Sequence, residues 1–185
     1  MSEAPTPLEG RIVFLDIDGC LTATDDGTSW LCKDESTYGL SEKRLALLAR
    51  LLEKTGAKVV VTSNWRRFPD DGSCTIRGCR FRNHLPQLRE WLGDRYLGDM
   101  PPYRGTKAAV MEKWGEERGI DFKSLNFVIF DDDYDEGFSY TPLFATNYVH
   151  CSPFTGITES EYDVALALFE NHDSMSNASG DNDAR

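Results

Sequence analysis

Three short runs of β-branched and aromatic residues pass without a break into residues that carry chemistry. They are Ile12-Val13-Phe14-Leu15, Val59-Val60-Val61 and Phe127-Val128-Ile129-Phe130. Apolar runs this short and continuous read as strands buried on both faces of a sheet. Between them lie stretches of helical periodicity, so strand and helix alternate along the chain. Parallel strands cannot be joined by tight turns, and the connecting helices must cross over and cover the sheet. The expected fold is α/β, a Rossmann-like three-layer sandwich around a central parallel sheet.

The remaining elements follow from local signals. Asp25-Asp26-Gly27 marks a turn within an irregular stretch over 20–40. Ser41 suits a helix N-cap, Leu40 can staple onto Leu45, and Leu45, Leu48, Ala49 and Leu52 form one apolar stripe up to a stop at Gly56. Arg66 to Asn83 reads as an inserted loop, followed by a short helix around Leu85 to Trp91 and a weak strand at Tyr96-Leu97. Lys107 to Arg118 is helical, with Val110, Met111 and Trp114 on one side and Gly119 ending it. Leu143 to Val149 reads as a last strand and Glu159 to Phe169 as a last helix. The expected organisation is a flexible N-terminus over 1–10, one domain over 11–170, and a disordered tail over 171–185 rich in Ser, Asn, Gly and Asp.

Charge and cysteines narrow the setting. A formal net charge of −11 opposes strong binding to duplex nucleic acid or to an anionic membrane. Against that background, residues 66–107 carry nine Lys/Arg and five acids, a local excess that suits either a collar for an anionic substrate or a solvated face. Five scattered cysteines favour reduced thiols and a cytoplasmic location. Cys74, Cys79 and His84 are not spaced as a usual zinc site. No apolar run reaches membrane-spanning length, and no basic segment followed by an apolar one opens the chain.

Ligands of open parallel sheets gather beyond the carboxyl ends of the strands. Three strand ends here carry Asp16 and Asp18, Thr62 and Ser63, and Asp131 and Asp132. A carboxylate at such a place can act as a nucleophile, and a second beside it can move protons. The nucleophile's target can be phosphorus or carbon; where it is an anionic phosphoryl group, attack by an anion needs a neutralising cation. Mg2+ suits an oxygen site of one or two carboxylates, with Asp16 and Asp131 the expected ligands. Asp132 would orient metal-bound water, with Asp133 and Asp135 as weaker candidates. A hydroxyl at the second strand end would bind a phosphate oxygen; Ser63 is favoured over Thr62, with the Asn64 backbone N–H assisting. Transition-state charge calls for a cationic side chain, and the candidates are Lys107, at a helix start a little over twenty residues before Asp131, and Arg104.

The run Asp16-Ile17-Asp18-Gly19-Cys20-Leu21-Thr22 resembles the first signature of the haloacid dehalogenase (HAD) superfamily, most of whose members are magnesium-dependent phosphatases. That resemblance implies a HAD fold with a minimal cap. It also implies that Asp18 offers its backbone carbonyl to the metal while its side chain protonates the leaving oxygen and then activates water. Lys107 is placed as in many members of the superfamily, and the resemblance implies it as the cation for transition-state charge, with Arg104 its competitor. Thr62-Ser63-Asn64-Trp65-Arg66, with Asp131-Asp132-Asp133, is similar to a HAD subfamily associated with Swiss-army-knife RNA-repair proteins. There Arg66 would clamp a phosphate bidentately, and Trp65 would stack on a base, line the pocket or belong to the core. The implied activity is phosphomonoester hydrolysis through an aspartyl phosphate, on a nucleotide or polynucleotide end. The alternatives are a sugar-phosphate phosphatase, a phosphotransferase, or an inactive HAD-fold interaction module. Trp30, Phe68 and Phe81 are candidates to close over the site.

Overall fold

The computed structural model describes residues 8, 10–29, 39–69, 74–76, 79–81, 83–102 and 104–180, and at 74–76, 79–81 and 175–180 the backbone alone. In chain order its elements are β1 (Arg11–Leu15), α1 (Glu42–Thr55), β2 (Lys58–Val61), β3 (Cys74–Ile76), β4 (Cys79–Phe81), α2 (Leu85–Leu92), β5 (Tyr96–Asp99), α3 (Lys107–Arg118), β6 (Asn126–Asp131), α4 (Pro142–Ala145), β7 (Tyr148–His150) and α5 (Glu159–Gly180).

The described strands form a parallel sheet in the order β5-β2-β1-β6-β7, with β3 and β4 a separate antiparallel pair. Side chains alternate across each strand and so build two cores. Val13, Leu15, Val59, Val61, Val128 and Phe130 face α1, α2 and α5. Ile12, Phe14, Val60, Phe127 and Ile129 face α3, together with Phe138 and Phe144. The α/β sandwich is the expected one. Phe127 meets Phe14, Phe122 and Phe144, and Phe122 meets Phe144, edge to face with centroids 5.2–6.2 Å apart, a geometry that adds to the burial of their surface.

The register decides where the chemistry converges. Leu15 pairs with Val61 on one side and Phe130 on the other. The next residues, Asp16, Thr62 and Asp131, therefore leave neighbouring strands at one level. The chain winds outward from β1 in both directions, so this is the point at which strand order reverses and a crevice opens.

Several local expectations change. The buried face of α1 is Arg44, Leu47, Leu48, Leu51, Leu52 and Thr55 rather than the stripe through Leu45 and Ala49, because a buried arginine belongs to it. Ser41 occupies the N-cap of α1, but its hydroxyl donates to Asp26 at 2.6 Å and caps nothing. Most of 143–149 is not strand: Pro142 starts the short α4, Phe144 drops into the core, and β7 covers Tyr148–His150 alone. The final helix does not end at Phe169, and 171–180 is helical rather than a disordered tail. Asn126 Nδ2 donates to Phe169 O at 3.1 Å and to Asp173 Oδ1 at 2.8 Å, and Arg11 pairs with Asp173, tying that extension to β1 and β6. The inserted segment contains the β3–β4 pair. Trp30 and the side chains of Cys74, Cys79 and Phe81 lie outside the described residues, while Phe68 packs against the core.

Candidate active site

Asp16 and Asp131 are buried at the ends of β1 and β6, and Asp132 is half-buried beside them. One carboxylate oxygen from each can lie within 4.8 Å of the others, a spacing that suits a single cation. Lys107, also buried, donates to Asp16 Oδ2 at 2.5 Å and to Asp131 Oδ2 at 2.7 Å. It reaches that point from the first turn of α3, whose start is fixed by Thr106 as N-cap and by Glu136, which accepts from the Lys107 backbone N–H at 2.6 Å. A carboxylate at this end also complements the helix dipole. Arg104 is exposed and is not the cation bridging the acids.

Three carboxylates face one ammonium, and the surplus negative charge shows in the proton affinities. Burial, then the Asp16 charge, pushes Asp132 up to about 7 and raises Asp131 as well. Burial works against the Lys107 charge, yet Asp16 and Asp131 outweigh it and raise its proton affinity. The donor set is hard oxygen and its excess charge matches a divalent ion, so these residues fit Mg2+ as the expected cofactor. Asp16 Oδ1 meanwhile accepts from the Ile17 N–H at 2.7 Å, which fixes the carboxylate plane.

Asp18 stands outside that acid group. Its Oδ2 accepts from Trp65 Nε1 at 2.6 Å, and its Oδ1 is buried with no partner. Burial and the Asp16 charge raise its proton affinity to about 7, and the indole bond only partly offsets them. Trp65 is itself core, 1 % exposed, so it neither stacks on a base nor lines an open pocket. Between Asp18 and the acid group, Gly19 takes φ +66°, and a Cβ there would lie 2.1 Å from Asp132 Oδ2. Only glycine permits both the turn and the approach of Asp132.

The hydroxyls at the end of β2 part company. Ser63 Oγ accepts from Trp65 N at 3.4 Å and caps the single turn Asn64–Arg67. Thr62 Oγ1 is buried with no partner at all, while Ser63 Oγ accepts one long bond and keeps its proton to donate. Asn64 is exposed. Arg66 donates to Thr62 O and Ser63 O, and to Pro101 O at 3.4 Å, while its Nε–H is buried and unpartnered. Burial, then the neighbouring Arg67 charge, lowers its proton affinity. A bidentate phosphate clamp would require it to release those carbonyls.

Acidic candidates further along serve the loop. Asp133 accepts from Asp135 N at 2.8 Å and its own N–H donates to Asp131 Oδ1 at 3.1 Å, so it caps a turn; Asp133 and Asp135 are exposed. Other contributors carry no sequence signature. Asn83 donates to the carbonyls of Trp65, Phe68 and Pro69 at 3.3–3.4 Å and holds the segment bearing Trp65. Arg44, wholly buried, pairs with Asp25 and Asp26 and donates to Thr155 O, pinning the loop that follows Asp18. Gly156 makes room for it: a Cβ there would lie 2.3 Å from Arg44 Nε.

The family described as the HAD domain in Swiss Army Knife RNA repair proteins has a model that matches residues 12–162. No curated protein and no solved structure matches the chain.

Proposed function

From the premise that the chain belongs to the family of HAD domains in Swiss Army Knife RNA repair proteins, we propose that it is a Mg2+-dependent phosphomonoesterase for a nucleotide or polynucleotide end. The observation that carries this reading is the acid group of Asp16, Asp131 and Asp132 bridged by a buried Lys107.

Asp16 is the nucleophile and forms the aspartyl phosphate as the leaving oxygen departs. Lys107 supports this role by shielding the attacking carboxylate and the incoming phosphoryl charge from each other. Asp16, Asp131 and Asp132, with the Asp18 backbone carbonyl, would hold Mg2+. When bound, that ion supplies charge neutralisation at the phosphoryl oxygens. Thr62 offers its unspent hydroxyl to a phosphoryl oxygen. Arg66 keeps the Thr62–Ser63 backbone in place through its carbonyl contacts and contributes as a positioning group.

Asp18 is the general acid and then the general base. With proton affinity near neutrality it can be protonated as the ester oxygen leaves and ionised when water attacks the intermediate. Trp65 holds Oδ2, so the proton to be donated sits on Oδ1.

A magnesium-dependent screen across 3′- and 5′-phosphorylated oligonucleotides, mononucleotides and sugar phosphates tests the reading. Preference for oligonucleotide ends is the expected result. Preference for sugar phosphates would overturn the substrate class, and turnover indifferent to magnesium would overturn the chemistry.

A further inference from the structure

An exposed aromatic ring stands beside the candidate metal loop, and it is not a loose surface side chain. Tyr134, two residues after Asp132, is 59 % exposed, yet its ring stacks on His150 with centroids 3.8 Å apart and planes within 20°. His150 meets Tyr148 edge to face at 6.0 Å, and Tyr148 meets the wholly buried Phe138 at 5.8 Å. The rings form a ladder rooted in the core and ending in solvent at Tyr134. Two of them are bonded to the metal loop. Tyr148 OH donates to Asp131 O at 3.3 Å and His150 Nε2 to Asp132 O at 3.1 Å; a carbonyl can only accept, so Nε2 carries the proton.

We propose that the ladder ending in Tyr134 is the platform on which the nucleobase next to the scissile phosphate stacks. The inference rests on the nucleotide-end reading above and specifies how that site recognises its substrate. Two residues of chain span at most about 7 Å, so the Tyr134 backbone stays within one nucleoside of Asp132. An aromatic face already held by a stacked partner gives up little conformational freedom when a base covers its outer side. Stacking does not depend on base identity, because every base has a π-face, so the platform reads the presence of a base and not its sequence. It also suits an acidic protein: affinity for the end comes from a ring rather than from a long basic track along the strand.

The test compares kcat/KM for adenosine 3′- and 5′-monophosphate with kcat/KM for ribose phosphate, in the full chain with magnesium. The wild-type protein is expected to favour the nucleotide by roughly tenfold or more, the size that base–aromatic stacking supports. Tyr134→Ala should collapse that ratio, chiefly through KM, and Tyr134→Phe should preserve it. A ratio that survives Tyr134→Ala in a protein that prefers nucleotides overturns the platform alone. Equal losses on both substrates also overturn it, since they make the ladder only a strut for the acidic loop. A wild-type protein with no preference for the base overturns the nucleotide-end reading itself.

Discussion

The indole N–H of Trp65 occupies one oxygen of Asp18 and leaves the other buried and open, so the acid has a defined donating atom. Trp65→Phe keeps an aromatic ring, though a smaller one, in the core and removes that bond. We expect kcat/KM for an alkyl phosphate to fall about tenfold, the size of one hydrogen bond to a charged group. The loss should be smaller for an activated aryl phosphate, whose leaving group needs little protonation; equal losses would make Trp65 a packing residue only. Gly19→Ala brings a methyl group onto Asp132 at a left-handed backbone position, so magnesium binding measured by calorimetry should weaken at least tenfold. Asp16, Asp18 and Asp131 are legible from sequence because each directly follows, or lies three residues beyond, an apolar run. The link from Trp65 to Asp18 is not, because the two lie forty-seven positions apart and neither type advertises the other. Thr62 and Ser63 stand side by side, both buried and with the same chemistry, and only the bond that Ser63 accepts from Trp65 N separates them.

At the scale of elements, the loop after Asp18 is held by α1 through Arg44. Arg44→Met leaves Asp25, Asp26 and the Thr155 carbonyl without their shared donor, and because both acids keep about a third of their exposure it should lower unfolding stability by only about 1–2 kcal/mol, as read by urea denaturation. Partial burial would raise Asp26, but hydrogen bonds from Ser41 and Thr28 and the Arg44 charge outweigh it and bring it down to about 2. A carboxylate lowered on folding stabilises the native state above its ordinary value near 3.8, and that contribution fades as pH falls toward 2. Asp26→Asn should therefore flatten stability against pH below about 4 and leave its slope at neutral pH alone. Alternating strands and helices are plain in the sequence, since buried parallel strands write themselves as unbroken β-branched runs. The rotated face of α1 is not, because a buried arginine looks solvent-facing until its partners from distant loops are known. The extension of α5 escapes for the same reason: Asn126 and Arg11 stabilise a polar segment whose composition alone suggests disorder.

For the whole molecule, the two cores fix a sheet whose carboxyl end gathers mutually repelling acids, and no helix among the described residues is long and apolar enough to cross a membrane. A cation that relieves that repulsion should stabilise the fold. Magnesium at a hundred times its dissociation constant should add about 2.7 kcal/mol, seen as a higher Tm, and Asp131→Asn should abolish most of that gain. Nucleophilic attack by Asp16 is tested most directly by chemical trapping of the intermediate. The full chain is mixed with magnesium and a terminally phosphorylated oligonucleotide, quenched during turnover, reduced with borohydride and sequenced by mass spectrometry. An Asp16 nucleophile yields homoserine at position 16, the product of a reduced aspartyl phosphate. Homoserine at another aspartate, or turnover that leaves Asp16 unmodified under every quench, would contradict that role.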